Sequence, residues 1–101
     1  MTELPAWPDK VERRRILREI RRVLLEVWDP IGVGGVPQAQ DEYDGYIERI
    51  FALLLEQASD EAILDYLFWA VKGHMGLERA KREDMLSTVQ ALRNIQLPQS
   101  K

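Results

Sequence analysis

Apolar residues recur every three to four positions through most of this chain, and the recurrence breaks only where glycine, proline or acidic residues take over. At 100° per residue, Ile16, Ile20, Val23, Leu24 and Val27 gather on one arc with Leu17 and Trp28 at its margin, so residues 10–28 are expected to form an amphipathic helix. Asp9, followed three residues on by Glu12, is a start signal resembling a capping box. Pro5, Trp7 and Pro8 keep the preceding segment from being helical throughout. The stop is Asp29-Pro30, because a residue before proline is pushed out of the right-handed helical region.

Residues 29–40, DPIGVGGVPQAQ, have no periodicity and read as a loop. The loop carries Ile31, Val33 and Val36, which suggests an ordered segment folded back over the end of the first helix. A second helix is expected to begin between Asp41 and Asp44, where acids suit the positive helix N-terminus, and to run to about Ala58 with Tyr43, Ile47, Ile50, Phe51 and Leu54 inward. Ser59 before Asp60 and Glu61 signals the N-cap of a third helix, antiparallel to the second across a tight link. That helix, residues 60–74, places Ile63, Leu64, Leu67, Ala70, Val71 and Met75 on one stripe and Ala62, Tyr66 and Trp69 on another side, which calls for either deep enclosure or a contact surface. Gly73 and Gly76 bracket its end. A fourth helix follows, with Glu78 and Arg82 as an exposed pair, Val89 and Leu92 buried, Leu86 flanking, and Pro98 closing the structured part. The expected architecture is all-α: one four-helix domain over residues 1–101, with an ordered core at 9–97, tails at 1–8 and 98–101, and an ordered Gly/Pro loop between helices 1 and 2.

Composition narrows the chemistry. Across 101 residues, 46% are hydrophobic and 31% charged, as in ordinary globular domains, and there is no cysteine, which excludes disulfides, thiolate metal sites and cysteine nucleophiles. Neither a signal peptide nor a run of 18 apolar residues is present, so a soluble, cytoplasmic protein without membrane contact is the expectation. The net charge of −3 conceals a segregation: residues 1–28 carry +2, residues 29–65 carry −8 with Arg49 as their one cation, and residues 66–101 carry +3. An acidic middle of this kind steers toward a basic partner at low salt.

Several residue groups are candidates for function. Arg14, Arg15, Arg18, Arg21 and Arg22 lie within roughly 120° on the wheel of the first helix, where guanidinium forks could grip phosphates; the competing reading is a solvated face braced by Glu12, Glu19 and Glu26 or packed against the acidic middle. Arg13 sits on the apolar arc and should extend past the core edge or pair with a carboxylate. Asp41, Glu42 and Asp44, interleaved with Tyr43 and Tyr46, either cap the second helix or, with Trp69, form an acidic aromatic surface for a protein partner. Their oxygen count is too short for a dedicated metal site, and no metal or cofactor is expected. His74 is the lone histidine and is expected to donate to carbonyls of the last turn. No nucleophile pairs with it, and the glycines at 32, 34 and 35 follow a helix and are not followed by Lys-Ser/Thr, so neither an enzyme nor a phosphate loop is indicated. A helix-turn-helix with its turn at residues 74–77 and Arg79, Lys81 and Arg82 on the recognition helix fits the charges loosely, because Glu78, Glu83 and Asp84 dilute them.

The elements Trp28-Asp29-Pro30-Ile31-Gly32-Val33 and Glu42-Tyr43-Asp44-Gly45-Tyr46 carry the remaining signal. Asp29 can accept from backbone amides just beyond it while Trp28 anchors the loop. In these residues the chain resembles a family of small bacterial helical proteins of unknown function, similar to the Bacillus YugE-like group, over residues 16–95, with the later helices matched by apolar pattern alone. The resemblance implies a compact helical bundle with an ordered loop at residues 28–36 and carries over no catalytic residue. The expected function is a protein-interaction module, of immunity or accessory type, that docks a basic partner through Asp41, Glu42, Tyr43, Asp44, Tyr46 and Trp69; a homodimer is also compatible. The alternative is nucleic-acid or phosphate-ligand binding through the arginine stripe.

Overall fold

The computed structural model describes residues 9–97, and the expected tails lie outside the described residues. Four helices in chain order make an all-α domain. Helix α1 (Lys10–Val23) starts at Asp9, whose carboxylate accepts from the Glu12 amide at 2.9 Å. It does not end at Val23 but widens into a π-helical turn, Leu24–Trp28, closed by the Asp29 amide donating to the Leu24 carbonyl at 2.8 Å. The widened turn advances each side chain by less than 100°. Trp28 therefore rotates into the core, while Val27, expected inside, is 41% exposed.

A 3-10 turn (Pro37–Ala39) leads to α2 (Asp44–Leu55), which buries Tyr46, Ile47, Ile50, Phe51, Leu53 and Leu54. Helix α2 stops three residues before the expected Ala58. The amides of Gln57 and Ala58 donate back to Leu54 and Leu53, a paired closure that needs a left-handed residue, and Gln57 takes it at φ 57°. Helix α3 (Asp60–Phe68) is capped by the Ser59 hydroxyl, which accepts from the Ala62 amide at 3.1 Å, and it too runs into a π-helical turn, Trp69–His74. Gly76, at φ 75°, reverses the chain after that turn. Of the two apolar sides of α3, Ile63, Leu64, Leu67, Ala70 and Val71 are buried, whereas Trp69 faces outward.

The fourth helix begins later than expected. Residues 77–81 are not helical; a 3-10 turn (Arg82–Met85) precedes α4 (Leu86–Arg93), which buries Thr88, Val89 and Leu92. Arg82 does not pair with Glu78: its guanidinium reaches Glu61 at 2.5 Å and Asp65 at 2.6 Å on α3. Residues 77–81 form no recognition helix: Arg79 and Lys81 lie on the non-helical segment and Arg82 is engaged. Helix α1 packs against α2 and α4, α3 packs against α4, and the π turn of α1 also meets α4. Among the described residues no helix is long and apolar enough to cross a membrane.

The charge segregation seen along the chain folds on itself. Arg13 binds Glu48 at 2.8 Å and covers the Phe51 ring, and Arg21 binds Asp44 through two nitrogens, tying α1 to α2. Arg82 and Arg93 reach Glu61, Asp65 and Asp60, tying the α4 region to α3. Five of the nine acids in residues 29–65 are thus matched to arginines of the basic flanks, and the expected outward separation of cationic and anionic patches gives way to internal pairing. Each pair is solvent-exposed, worth about 0–1 kcal/mol, so the pairs choose helix neighbours more than they hold them.

Replacing Gln57 with glycine relieves the left-handed strain at the end of α2 and should raise the urea midpoint by the equivalent of about 0.5–1 kcal/mol without changing the slope. An unchanged or lower midpoint would show that this closure stores no strain.

Candidate binding site where two π turns meet

The two π-helical turns converge on the first turn of α2. Trp28, last residue of the first π turn, lies 5.4 Å from the Tyr43 ring and 5.6 Å from that of Tyr46. His74, last residue of the second, lies edge-on to Tyr46, and its Nδ1 shares a 2.6 Å hydrogen bond with the Tyr46 hydroxyl. Such turns make up well under 1% of residues and are frequent at functional sites.

One wall of the site is set by Asp29. It adopts the left-handed conformation at φ 32°, which turns its carboxylate back over the loop, where Oδ1 accepts from the Val33 amide at 2.7 Å and Oδ2 from the Gly34 amide at 3.0 Å. Oδ1 also accepts from the Tyr43 hydroxyl at 2.8 Å, and that hydroxyl in turn accepts from the Ile31 amide at 3.1 Å. A Cβ on Gly34 would strike the Leu25 carbonyl oxygen and lie 2.9 Å from Asp29 Oδ2, so only glycine fits this approach. Burial alone would raise the Asp29 pKa, but the hydrogen bonds from Tyr43, Gly34 and Val33 outweigh it and hold the carboxyl below its ordinary value. Tyr43 shifts the other way, pushed up to about 12 by burial and reinforced by the Asp29 carboxylate. Trp28 is anchored from below by its indole N–H, which donates to the Met85 sulfur at 3.2 Å.

On the outer wall three rings form a stack. Tyr66 lies against Trp69 at 5.6 Å and 26°, and Trp69 against His74 at 5.4 Å and 22°, leaving Trp69 51% exposed while its neighbours fix its orientation.

The residues expected at a partner surface divide. Tyr43 is 1% and Tyr46 8% exposed, so both belong to the core and offer no contact area. A helix start at Tyr43 with α1 and α3 on either side turns both rings inward, as the apolar spacing of α2 predicts for Tyr43 and not for Tyr46. Asp44 is taken by Arg21. Asp41 and Glu42 stay exposed and have no ion pair among the described residues, and Trp69 is on the surface. The arginine stripe also thins: Arg15 binds Glu12 and the Gln96 carbonyl, Arg22 binds Glu19 and Glu26, and Arg21 binds Asp44. Arg14 and Arg18 remain without an ion pair among the described residues and line a groove of about 680 Å³ between α1 and α2. His74 faces Tyr46 and Trp69, not the carbonyls of its own turn. Sequence reasoning did not reach Met85 under Trp28, or Tyr43 as the partner of Asp29; the Trp-Asp-Pro and Glu-Tyr-Asp elements were the available signal for the second.

Because folding raises Tyr43 from about 10 to about 12, its contribution to stability is complete below about pH 10 and is lost as pH climbs through its folded value. Asp29, held low, contributes fully above about pH 4 and loses its share as pH falls below that. Tyr43→Phe should therefore cost about 1–3 kcal/mol at pH 7, by orphaning the Ile31 amide and one acceptor site on Asp29, yet lose less further stability between pH 9 and 12 than the parent. Parallel alkaline unfolding curves for the two proteins would refute the coupling. No family model, no curated protein and no solved structure matches the chain, so the functional reading comes from this geometry.

Proposed function

We propose that the protein is a small cytoplasmic binding module, immunity-type or accessory in character and not catalytic, that docks a basic protein partner through the face carrying Trp69, with Asp41 and Glu42 supplying the complementary charge. The observation that carries this reading is the Tyr66–Trp69–His74 stack: a half-exposed tryptophan clamped between two rings loses little conformational freedom when a partner covers it. Interface hot spots are enriched in such tryptophans. Asp41 and Glu42 are the acids next to the site that folding leaves without an ion pair, whereas Asp44 and Glu48 on the same stretch are neutralised by α1.

A second reading, phosphate or nucleic-acid binding, is favoured by one observation: Arg14 and Arg18 line the α1–α2 groove with their guanidinium groups uncommitted. Two cations in place of five make this a weak site whose salt dependence is shallower than five would give.

Tagged full-length protein is expected to capture one basic partner from its native cell. Trp69→Ala should weaken that complex by about 2 kcal/mol or more, and the Asp41→Asn/Glu42→Gln double variant should slow association and flatten its salt dependence. Equal capture by all three proteins would refute the assigned face. Low-salt oligonucleotide binding lost in an Arg14→Gln/Arg18→Gln variant would establish the second reading instead.

A further inference from the structure

Trp28 also lines a second cavity, whose walls do not include Trp69. It has a volume of about 330 Å³, and its apolar wall includes Trp28 and Val71 from the two π-helical turns, Leu77 from the non-helical segment and Met85 from the 3-10 turn before α4. That volume falls at the lower end of the roughly 300–1,000 Å³ typical of small-ligand sites, which are mostly apolar with a few polar groups that set orientation. Here the polar groups are Arg79 and Asp84. Both are exposed, and neither has an ion-pair partner among the described residues, in a protein that pairs most of its other arginines. They are five residues apart on either side of the extended Lys81, so one cavity carries a free cation and a free anion that do not neutralise each other.

We propose that this cavity binds a small zwitterion with an apolar body, a free apolar amino acid being the chemical class that fits. The side chain occupies the space over Trp28 and Met85, the carboxylate takes the guanidinium fork of Arg79, and the ammonium meets the Asp84 carboxylate. A ligand with one charge leaves the opposite rim group unmatched, so selectivity for zwitterions follows from the same geometry. The Trp28 indole N–H is already committed to the Met85 sulfur, which makes this wall apolar toward a ligand and places two sensitive reporters in it.

The test uses the full chain with labelled tryptophan indole and methionine methyl groups, titrated in NMR with L-phenylalanine, L-leucine, 3-phenylpropionate and 2-phenylethylamine. Either amino acid should shift the Trp28 indole and Met85 methyl signals and leave Trp69 unmoved, while both singly charged analogues bind about tenfold more weakly or worse. Arg79→Gln should lower L-phenylalanine to the affinity of 2-phenylethylamine, and Asp84→Asn to that of 3-phenylpropionate. Both substitutions are on exposed side chains outside the core, so the folded spectrum serves as the control. Equal affinity for all four compounds would overturn the proposal in favour of a merely apolar cavity. So would the absence of shifts at Trp28 and Met85 with both amino acids at millimolar concentration.

Discussion

The Asp29 carboxylate is the junction on which the arrangement of the N-terminal half depends. A twelve-residue connection with three glycines and two prolines loses a large conformational entropy when ordered, of the order of 1–2 kcal/mol per residue, and gains little from burial because none of its residues is fully buried. Three hydrogen bonds to one carboxylate offset part of that cost at a single point. One of them comes from Tyr43, so the bond that orders the loop also fixes where α2 begins relative to the end of α1. Tyr43 then supports Trp28, Trp28 meets Tyr46, and Tyr46 reaches His74 and so the exposed Trp69. The exposed Trp69 ring is thus positioned through a chain of contacts beginning at a turn near the other π-helical end.

Electrostatics acts at a different level. Segregated charge along a sequence suggests steering of a partner, but in this fold the partner of the acidic middle is the rest of the chain. Arg13 and Arg21 bring α1 onto α2, and Arg82 and Arg93 bring the last segment onto α3. Opposite charges on facing helices disfavour alternative pairings of four short amphipathic segments more than they stabilise the right one. Among the described residues, the charges without an ion pair include Asp41 and Glu42 beside the aromatic site, Arg14 and Arg18 in the α1–α2 groove, and Arg79 and Asp84 at the Trp28 cavity.

Much of the fold was legible from local rules, because capping and periodicity involve neighbours in sequence. Asp9 and Ser59 cap their helices, Ile16, Ile20, Ile63 and Leu67 are buried, and Asp29 accepts from the amides that follow it. Errors arose where a constant 100° step failed. The π-helical turn at Leu24–Trp28 exchanges the positions of Val27 and Trp28, and no wheel with fixed pitch can show this. The start of α4 was misplaced for another reason: Arg82 finds its carboxylates 17 and 21 residues away on α3, not four residues back at Glu78. The candidate surface suffered most: the apolar spacing of α2 already placed Tyr43 inward, yet acids around Tyr43 and Tyr46 have the composition of an interface, and the neighbours Trp28, Tyr66 and His74 mark both rings as interior. For Trp69, off the main stripe of α3, the wheel left enclosure and exposure both open, and the ring is half exposed.

Native-state amide hydrogen exchange tests the junction most directly, since loop amides without partners exchange near the rate of an unfolded chain. The Ile31, Val33 and Gly34 amides should be protected in the parent protein and lose that protection in Asp29→Ala, while amides of Ile63 to Leu67 in α3 remain slow in both. Fast exchange of those three loop amides in the parent protein would contradict the account.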